Sequence, residues 1–363
     1  MRAERPDVLV IGLGPAGSRA AAAAALSGFR VIALERRAAP GRPVQCAEFV
    51  PSLIEQDVPG LASVTVQAIL RMRTDVEGEG FDESPYFRGR MIDRAHFDAL
   101  LASEAARAGA SCRYGVAALE IAPDGSVLGS DGRHLRPRLL IGADGPRSRV
   151  GHAAGRVNCD LVETRQITVP LSAPQDATDI FLKADYPGGY GWLFPKRMKA
   201  NLGLGLVPEK KRRLKPLLLS LHRRLVAEGR VGADARDLTG GAIPVGGRLP
   251  ATGRLERTPV LLAGDAAGLT NPVTGAGIAA AVQSGALAGE AASLWLSGRE
   301  RALADYEEEL SDLFDAAMAR ALARRRALLA RYEAGGRPDA EALRAHWIAY
   351  PQYWASANGE GRG

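Results

Sequence analysis

The feature that most constrains this chain is a glycine-rich turn near its start, between a short apolar run and an alanine-rich segment. Residues 12–17, Gly12-Leu13-Gly14-Pro15-Ala16-Gly17, match the pattern G-x-G-x-x-G. In such turns the first glycine permits a tight bend, the second lets the backbone approach a pyrophosphate, and the third lets the helix pack on the strand. The helix N-terminus attracts the anion through its free N–H groups and its dipole. The sequence therefore predicts a βαβ nucleotide-binding fold.

Two later segments favour FAD over NAD as the nucleotide. Residues 140–148 and 260–267 each contain an apolar strand followed by an acidic turn, Asp144-Gly145 in the first and Gly264-Asp265 in the second. A carboxylate at the end of a buried strand can accept hydrogen bonds from ribityl hydroxyls, which NAD lacks between its phosphates and its ring. Glu35 ends the second predicted strand, about twenty residues after the glycines, where a carboxylate accepts ribose hydroxyls.

These three segments, in this order, resemble the FAD motifs of the flavoprotein superfamily that includes para-hydroxybenzoate hydroxylase and the geranylgeranyl reductases. Residues 94–98 are similar to the Arg-x-x-Phe-Asp helix of that superfamily, and the likeness covers most of residues 7–297. It implies that Asp265 binds a ribityl hydroxyl and that Asp144 lies near the pyrophosphate and ribityl chain. The residues expected to bind FAD are Gly12, Gly14, Pro15, Ala16, Gly17, Glu35, Arg36, Gln45, Cys46, Arg94, Val116, Asp144, Gly145, Gly264, Asp265, Pro272, Gly275, Ala276, Gly277 and Ile278.

An aromatic segment favours the geranylgeranyl reductase branch of this superfamily. Residues 190–196 are similar to the Tyr-x-Trp-x-Phe-Pro motif of its substrate cavity. Alternation along a strand places Tyr190, Trp192 and Phe194 on one face, and with Pro195 they form the expected substrate pocket. The alternative is a sheet face packed into the core, because aromatic side chains are good core residues.

Two further segments resemble the same branch. Residues 272–278 are similar to its Pro-x-x-Gly-x-Gly-Ile turn, whose N–H groups would face the flavin edge that becomes negative on reduction. Residues 44–49 carry Cys46 where the family has a cysteine beside the flavin ring, although Ala47 replaces the glycine of its Cys-Gly-Glu context. Cys46 either donates a proton or only packs on the ring.

The resemblance implies an FAD-dependent oxidoreductase that reduces a carbon–carbon double bond of an isoprenoid or other apolar substrate through flavin N5 hydride. The candidate catalytic residues are Cys46, Tyr190 and Trp192. Without a second G-x-G-x-x-G, the reductant is expected to be external: NAD(P)H, a protein or a deazaflavin donor. The alternative is a flavin monooxygenase that hydroxylates an aromatic substrate, free or carried on a peptide or protein. A non-catalytic flavin-binding protein is disfavoured. A halogenase is also disfavoured, because no lysine precedes Lys183.

Charge and composition bear on partners and location. The net charge of +6 does not indicate a nucleic-acid partner. A predicted basic helix over residues 208–229 either lies on anionic lipid headgroups or is simply solvated. The apolar segments are too short or too interrupted for a membrane span. The three separated cysteines predict no metal site and suit the cytoplasm, where contact with the inner membrane face is an option.

The order of segments predicts an α/β fold with three parts. A Rossmann-like FAD-binding domain (1–70, 90–158 and 250–298) is interrupted by a mixed β-sheet substrate domain (71–89 and 159–249). A helical C-terminal segment (299–363) follows. Its aromatic tail, residues 347–354, could cover the site, dock a partner or pack plainly.

Overall fold

A computed structural model describes residues 3–355, so the predicted domain limits at residues 1–2 and 356–363 lie outside the described residues. The strands are β1 (Val8–Ile11), β2 (Val31–Glu35), β3 (Phe49–Pro51), β4 (Thr65–Ile69), β5 (Arg71–Val76), β6 (Phe81–Ser84), β7 (Gly89–Ile92), β8 (Ser111–Tyr114), β9 (Ala118–Ile121), β10 (Val127–Gly129), β11 (His134–Leu135), β12 (Leu139–Gly142), β13 (Leu161–Pro170), β14 (Ala177–Leu182), β15 (Gly191–Lys196), β16 (Lys199–Leu206), β17 (Arg236–Thr239), β18 (Ala242–Pro244), β19 (Thr252–Leu255) and β20 (Thr258–Leu262). The α-helices are α1 (Pro15–Leu26), α2 (Leu61–Val64), α3 (Arg94–Arg107), α4 (Arg149–Ala153), α5 (Leu214–Ala227), α6 (Ile278–Leu296), α7 (Ala302–Glu333), α8 (Ala340–His346) and α9 (Pro351–Trp354).

The first sheet brings three distant segments to one edge. Its strand order is β19-β20-β12-β1-β2-β8, and β20, β12, β1 and β2 run parallel. The residues of β1, β12 and β20 are all buried, as expected for parallel strands covered on both faces. Because these strands are parallel neighbours, their carboxyl ends lie side by side, and the three predicted FAD motifs follow them there.

Helices α1 and α6 pack against each other at backbone distance. A Cβ atom added to Gly285 would lie 2.2 Å from the carbonyl oxygen of Ala16, and one added to Gly289 would lie 2.4 Å from that of Ala20. Larger side chains would push the helices apart. The glycines of α6 therefore bring the start of α6 close to the start of α1.

A second, mixed sheet forms the inserted domain. Its order is β17-β13-β16-β15-β14-β5-β6, with β18 on β13; β5 and β14 are parallel and the other pairs antiparallel. The apolar face of α5 covers one side through Leu218 and Leu221, which cluster with Leu193 of β15. Trp192 and Phe194 belong to the apolar cluster on the opposite side. The predicted fold class is confirmed; the domain limits stay a prediction.

The predicted basic helix over 208–229 begins later than expected. Residues Pro208–Arg213 form a 3₁₀ turn and the α-helix starts at Leu214. Pro216 explains the break: it has no N–H to donate, so it is tolerated in the first turn of a helix but not in its interior.

The aromatic tail packs on the substrate domain. Trp347 and Tyr353 are each 2% exposed and join the apolar cluster that contains Trp192 and Phe194. Polar contacts at the surface add to this, among them Arg344 with Glu79 at 2.7 Å. The described residues of the tail pack on the aromatic strand, whereas covering of the site and docking of a partner stay predictions. No helix within residues 3–355 is long and apolar enough to cross a membrane.

Candidate flavin site

The three predicted nucleotide motifs touch one another at the edge of the first sheet. Gly12 has a φ of +94°, and a Cβ added there would lie 2.3 Å from the carbonyl oxygen of Ala143. An added Cβ on Gly17 would lie 1.8 Å from the carbonyl oxygen of Gly12. One on Gly264 would meet the Cβ of Ala16 at 3.0 Å. Gly12 and Gly264 are thus required by close contact between motifs that are far apart in sequence, and Gly17 by the close approach of α1 to the turn at Gly12.

Two helix N-termini are left open at this edge. Helix α1 starts after Gly14 and helix α6 starts after Gly277, and neither has a side-chain cap or an acidic residue in its first turn. The first N–H groups of a helix have no partner inside the helix, so they are available to an anion. The pair fits a ligand with a pyrophosphate at one point and a polar ring edge at another.

Glu35 is fixed beside the first of these helices. Its carboxylate accepts from the backbone N–H of Leu13 at 2.9 Å and from that of Arg37 at 2.9 Å. Each carboxylate oxygen retains a further lone pair for a hydroxyl donor. Val116 donates its N–H to the carbonyl oxygen of Glu35 at 2.9 Å, and Arg36 is exposed.

Two acidic residues have different amounts of spare hydrogen-bonding capacity. Asp144 accepts from the hydroxyl of Ser148, the N-cap residue of α4, and from the N–H of Arg149 at 2.7 Å, so donors of the protein already occupy it. Asp265 accepts from the hydroxyl of Thr270 at 3.1 Å. The loss of water around each carboxylate raises its pKa. A half-buried carboxylate with few donors fits the hydroxyls of a ribityl chain, and Asp265 fits better than Asp144.

The loop carrying Cys46 is hydrogen-bonded to both the FAD-binding domain and the substrate domain. The Sγ atom of Cys46 accepts from the N–H of Glu48 at 3.2 Å. The backbone carbonyl oxygen of Cys46 accepts from the side chain of Gln166 of β13 at 3.1 Å. Gln45 is held between the Arg37 side chain at 2.6 Å and the carbonyl oxygen of Gly240 at 2.8 Å. The loop therefore bridges the FAD-binding and substrate domains.

Glu48 connects several elements through hydrogen bonds, a role that the sequence analysis did not predict. The residue is 4% exposed, and its carboxylate accepts from the N–H of Arg94 at 2.9 Å, from Lys196 at 2.7 Å and from Asn201 at 2.9 Å. Its φ of +69° is unusual for a residue with a side chain. In the sequence, the position of Glu48 directly after Cys46-Ala47 could have indicated a role at the site. Its hydrogen-bond partners, however, lie in β15, β16 and α3.

Arg94 lies beside the same loop. Its guanidinium group pairs with Asp98 at 2.7 Å. Burial acts to lower the pKa of Arg94, but the negative charge of Asp98 raises it, and the net shift is upward. The positive charge of Arg94 also reaches Asp265, where it opposes the rise in pKa. Arg94 thus connects the cysteine loop with the acidic turn after β20.

The predicted aromatic residues share one face. The ring centroids of Tyr190 and Trp192 are 5.8 Å apart, and those of Trp192 and Phe194 are 6.4 Å apart. Tyr190 donates its hydroxyl hydrogen to the carbonyl oxygen of Thr274 at 2.6 Å, and burial raises its pKa. Its ring also packs on Trp347, with centroids 4.7 Å apart. The aromatic face and the glycine turn before α6 are therefore in direct contact.

A small cavity lies at this contact. Its volume is about 30 Å³, enough for a water molecule. Neither Phe194 nor Pro195 is among the described residues that line it. Its walls include Thr164, Tyr190, Trp192, Pro272, Thr274, Gly275 and Arg325.

The fold and the site define a class: a flavoprotein with a Rossmann-like FAD-binding domain and an inserted substrate domain. Residues 162–230 match the family model described as the geranylgeranyl reductase catalytic domain. The chain is 34% identical over 320 residues to digeranylgeranylglycerophospholipid reductase 2 of Methanopyrus kandleri, covering 79% of this chain and 76% of the relative. It is 33% identical over 326 residues to digeranylgeranylglycerophospholipid reductase of Methanosarcina acetivorans, covering 83% and 78%.

Solved structures agree with this assignment. A geranylgeranyl bacteriochlorophyll reductase-like protein from Thermoplasma acidophilum has a TM-score of 0.84 and 26% identity, covering 97% of this chain and 93% of that one. A probable FAD-dependent monooxygenase from Pseudomonas aeruginosa has a TM-score of 0.69 and 21% identity, covering 92% and 99%; this likeness shows the fold alone. The chain belongs to the geranylgeranyl reductase family and is an FAD-dependent oxidoreductase.

Replacing Asp265 with alanine tests the fit of the site to FAD. We expect Asp265→Ala to weaken FAD binding about 10- to 100-fold, because a charged acceptor of hydroxyl hydrogen bonds is lost. Stability of the apoprotein should not fall, since the raised pKa means that the folded state disfavours this charge at neutral pH. Flavin fluorescence titration and thermal unfolding measure the two effects. The exposed Asp312→Ala is the control, and equal FAD affinity in both variants would contradict the assignment.

Proposed function

We propose that this enzyme saturates carbon–carbon double bonds in the isoprenoid chains of a lipid. The proposal depends on the contact between the aromatic face and the glycine turn before α6, residues 272–278, which we call the flavin turn. The hydrogen bond from Tyr190 to Thr274 at 2.6 Å makes this contact. An apolar, aromatic wall at that point suits an alkene and excludes water. The names of the relatives, digeranylgeranylglycerophospholipid reductases, support an isoprenoid lipid.

Bound FAD would supply the hydride for the addition, and the residues of the chain would hold FAD and shield the reaction. The start of α1 and Glu35 would hold the pyrophosphate and adenosine, and Asp265 the ribityl chain. The open N-terminus of α6 would stabilise negative charge on the ring edge. The loop at Cys46 and the rings of Trp192 and Tyr190 would keep water away from the alkene.

The addition also needs a proton, and the contacts favour Cys46 as its source. The hydroxyl hydrogen of Tyr190 is already donated to Thr274. The sulfur of Cys46 accepts a hydrogen bond from the N–H of Glu48, which leaves its S–H hydrogen free for a substrate carbon. Trp192 is a wall residue here, since its indole N–H is donated to Gln166 at 3.1 Å.

A surface groove is the proposed entry point for the lipid chain. It has a volume of about 580 Å³ and is lined in part by Tyr86, Phe87 and Trp354. The ring centroids of Phe87 and Phe49 are 5.3 Å apart, and those of Phe49 and Phe194 are 6.0 Å apart. Aromatic rings therefore continue from this groove to the face beside the flavin turn. The proposal is that the isoprenoid chain follows this row.

Anaerobic turnover tests the proposed reaction. Dithionite can replace the external reductant, whether that is NAD(P)H, a protein or a deazaflavin, so the result does not depend on the donor. With a glycerophospholipid that carries geranylgeranyl chains, we expect mass spectrometry to show products heavier by two hydrogens per reduced bond. FAD-free protein is the control. Absence of saturation, together with oxygen-dependent hydroxylation of an aromatic substrate, would support the monooxygenase alternative instead.

Substitution of Cys46 tests the proton source. Serine is a much weaker acid, so Cys46→Ser should lower kcat by about 100-fold, the usual contribution of a general acid. FAD occupancy should stay full, and Cys112→Ser, in β8, is the matched control. Full turnover by Cys46→Ser with FAD bound would remove this residue from the mechanism.

The basic segment before α5 is proposed to contact anionic membrane lipids. Its side chains at Lys210, Lys211, Arg212 and Arg213 are exposed, and none of Pro208–Arg213 is buried. Arg224, predicted as part of the same basic surface, is instead turned inward: it pairs with Asp75 at 2.9 Å and lies over Phe181 at 5.0 Å. The exposed cluster is thus smaller than the sequence indicated.

Vesicle sedimentation tests this contact. Changing Lys210, Lys211, Arg212 and Arg213 together to glutamine should weaken binding to vesicles containing anionic lipid by more than tenfold, since each basic residue contributes about 1 kcal/mol near such a surface. Binding to neutral phosphatidylcholine vesicles should not change. A charge-matched control changes four exposed arginines elsewhere to glutamine: Arg5, Arg107, Arg136 and Arg257. An equal loss in the control would show that only net charge matters.

A further inference from the structure

Helix α7 places a buried arginine at the contact between the flavin turn and the aromatic strand. The side chain of Arg325 is 5% exposed. Its Nη1 atom donates to the carbonyl oxygen of Gly188 at 2.5 Å and lies 3.5 Å from that of Pro272. It also lines the small cavity beside Tyr190 and Thr274. Arg325 therefore touches both the segment before β15 and the turn before α6.

Arg325 has no carboxylate within ion-pair distance among residues 3–355. Other arginines of low exposure do have such partners: Arg94 pairs with Asp98, and Arg248 pairs with Asp315 at 2.7 Å. Burial lowers the pKa of Arg325 to about 10, against a smaller opposing effect of the negative charge of Asp160, so the group is still protonated at neutral pH. Asp160 is exposed and does not pair with the guanidinium group. A buried cation without a directly paired counter-ion is unfavourable unless something at the site gains from its charge.

The position of this charge indicates which bound group it could stabilise. Arg325 lies against Pro272, at the start of the turn that leads to Gly277 and the open N-terminus of α6. The positive end of the α6 dipole and the guanidinium group thus act on the same region. Coulomb interactions fall slowly with distance and are little screened where water is excluded, so direct contact with a ligand is not required.

We propose that Arg325 raises the reduction potential of FAD bound at this turn. Uptake of two electrons from the external reductant and of one proton leaves one negative charge on the ring system, and a fixed nearby cation favours that charged form over the neutral oxidised one. Arg325 is then a positioning residue that acts through its charge. The inference rests on the proposed function only in placing FAD at residues 272–278.

A pair of substitutions separates charge from contact. Arg325→Gln removes the charge but can still donate to Gly188, whereas Arg325→Lys keeps the charge and alters the contact. The midpoint potential is measured anaerobically against reference dyes, with thermal unfolding and FAD occupancy as controls. We expect Arg325→Gln to lower the potential by at least 30 mV, a tenfold change in a two-electron equilibrium, and Arg325→Lys to change it much less.

A second pair keeps the arginine in place. Leu329 follows Arg325 by one helical turn and lies near Gly188, so Leu329→Glu would add a carboxylate at pairing distance. It should lower the potential, and the uncharged Leu329→Gln should not. The inference is overturned if Arg325→Gln leaves the potential unchanged, if glutamine and lysine at 325 shift it equally, or if Leu329→Glu has no effect. These potentials do not involve an alkene, so failure of the reductase assay leaves them readable.

Discussion

Backbone contact between glycines of separate motifs is the constraint on which the flavin site depends. Gly12 lies against Ala143, Gly17 against Gly12, and Gly285 against Ala16, at distances that no side chain tolerates. These contacts fix β1, β12 and α6 relative to α1. The side chain of Asn158 then joins the two acidic turns, since its Nδ2 atom donates to the carbonyl oxygens of Pro146 at 3.1 Å and Asp265 at 2.9 Å. A binding site for a long cofactor is built in this way from backbone geometry, and a few side chains hold the motifs together.

The charges around this site follow from the same close packing. Asp144 and Asp265 are surrounded by protein, which raises their pKa values, and Arg325 is buried with no carboxylate of residues 3–355 paired to it. Such groups destabilise an isolated apoprotein, because burying charge without full compensation is unfavourable. They become favourable when a ligand supplies hydroxyl donors to one and negative charge to the other. The site is therefore polarised in advance of binding, which is the arrangement that lowers reorganisation during a reaction.

The sequence predicted local elements and the meeting of motifs that share one ligand, but not the side-chain contacts between distant segments. Glycine spacing and the alternation of aromatic residues in β15 each follow from short-range rules, and the elements they indicate are present. Glu48 was missed because its partners, Lys196 and Asn201, lie about 150 positions away in sequence. The packing of Trp347 on Tyr190 was beyond reach for the same reason: an aromatic tail indicates burial without indicating against what.

The C-terminal segment raises a problem of access that the contacts themselves help to resolve. Trp347 and Tyr353 are buried against the aromatic cluster, whereas the charged contacts of the segment, such as Arg344 with Glu79, are at the surface. Exposed ion pairs contribute little to stability, about 0–1 kcal/mol each, and buried aromatic rings contribute more. The segment is therefore anchored at Trp347, beside Tyr190. Trp354 is 57% exposed and borders the surface groove, but it is also held: its indole N–H is donated to the carbonyl oxygen of Ile348 at 2.9 Å and Arg320 lies over its ring at 5.3 Å. A lipid chain that entered at the groove would meet the exposed ring of Trp354 first, while the packing of Trp347 on Tyr190 covers the aromatic face.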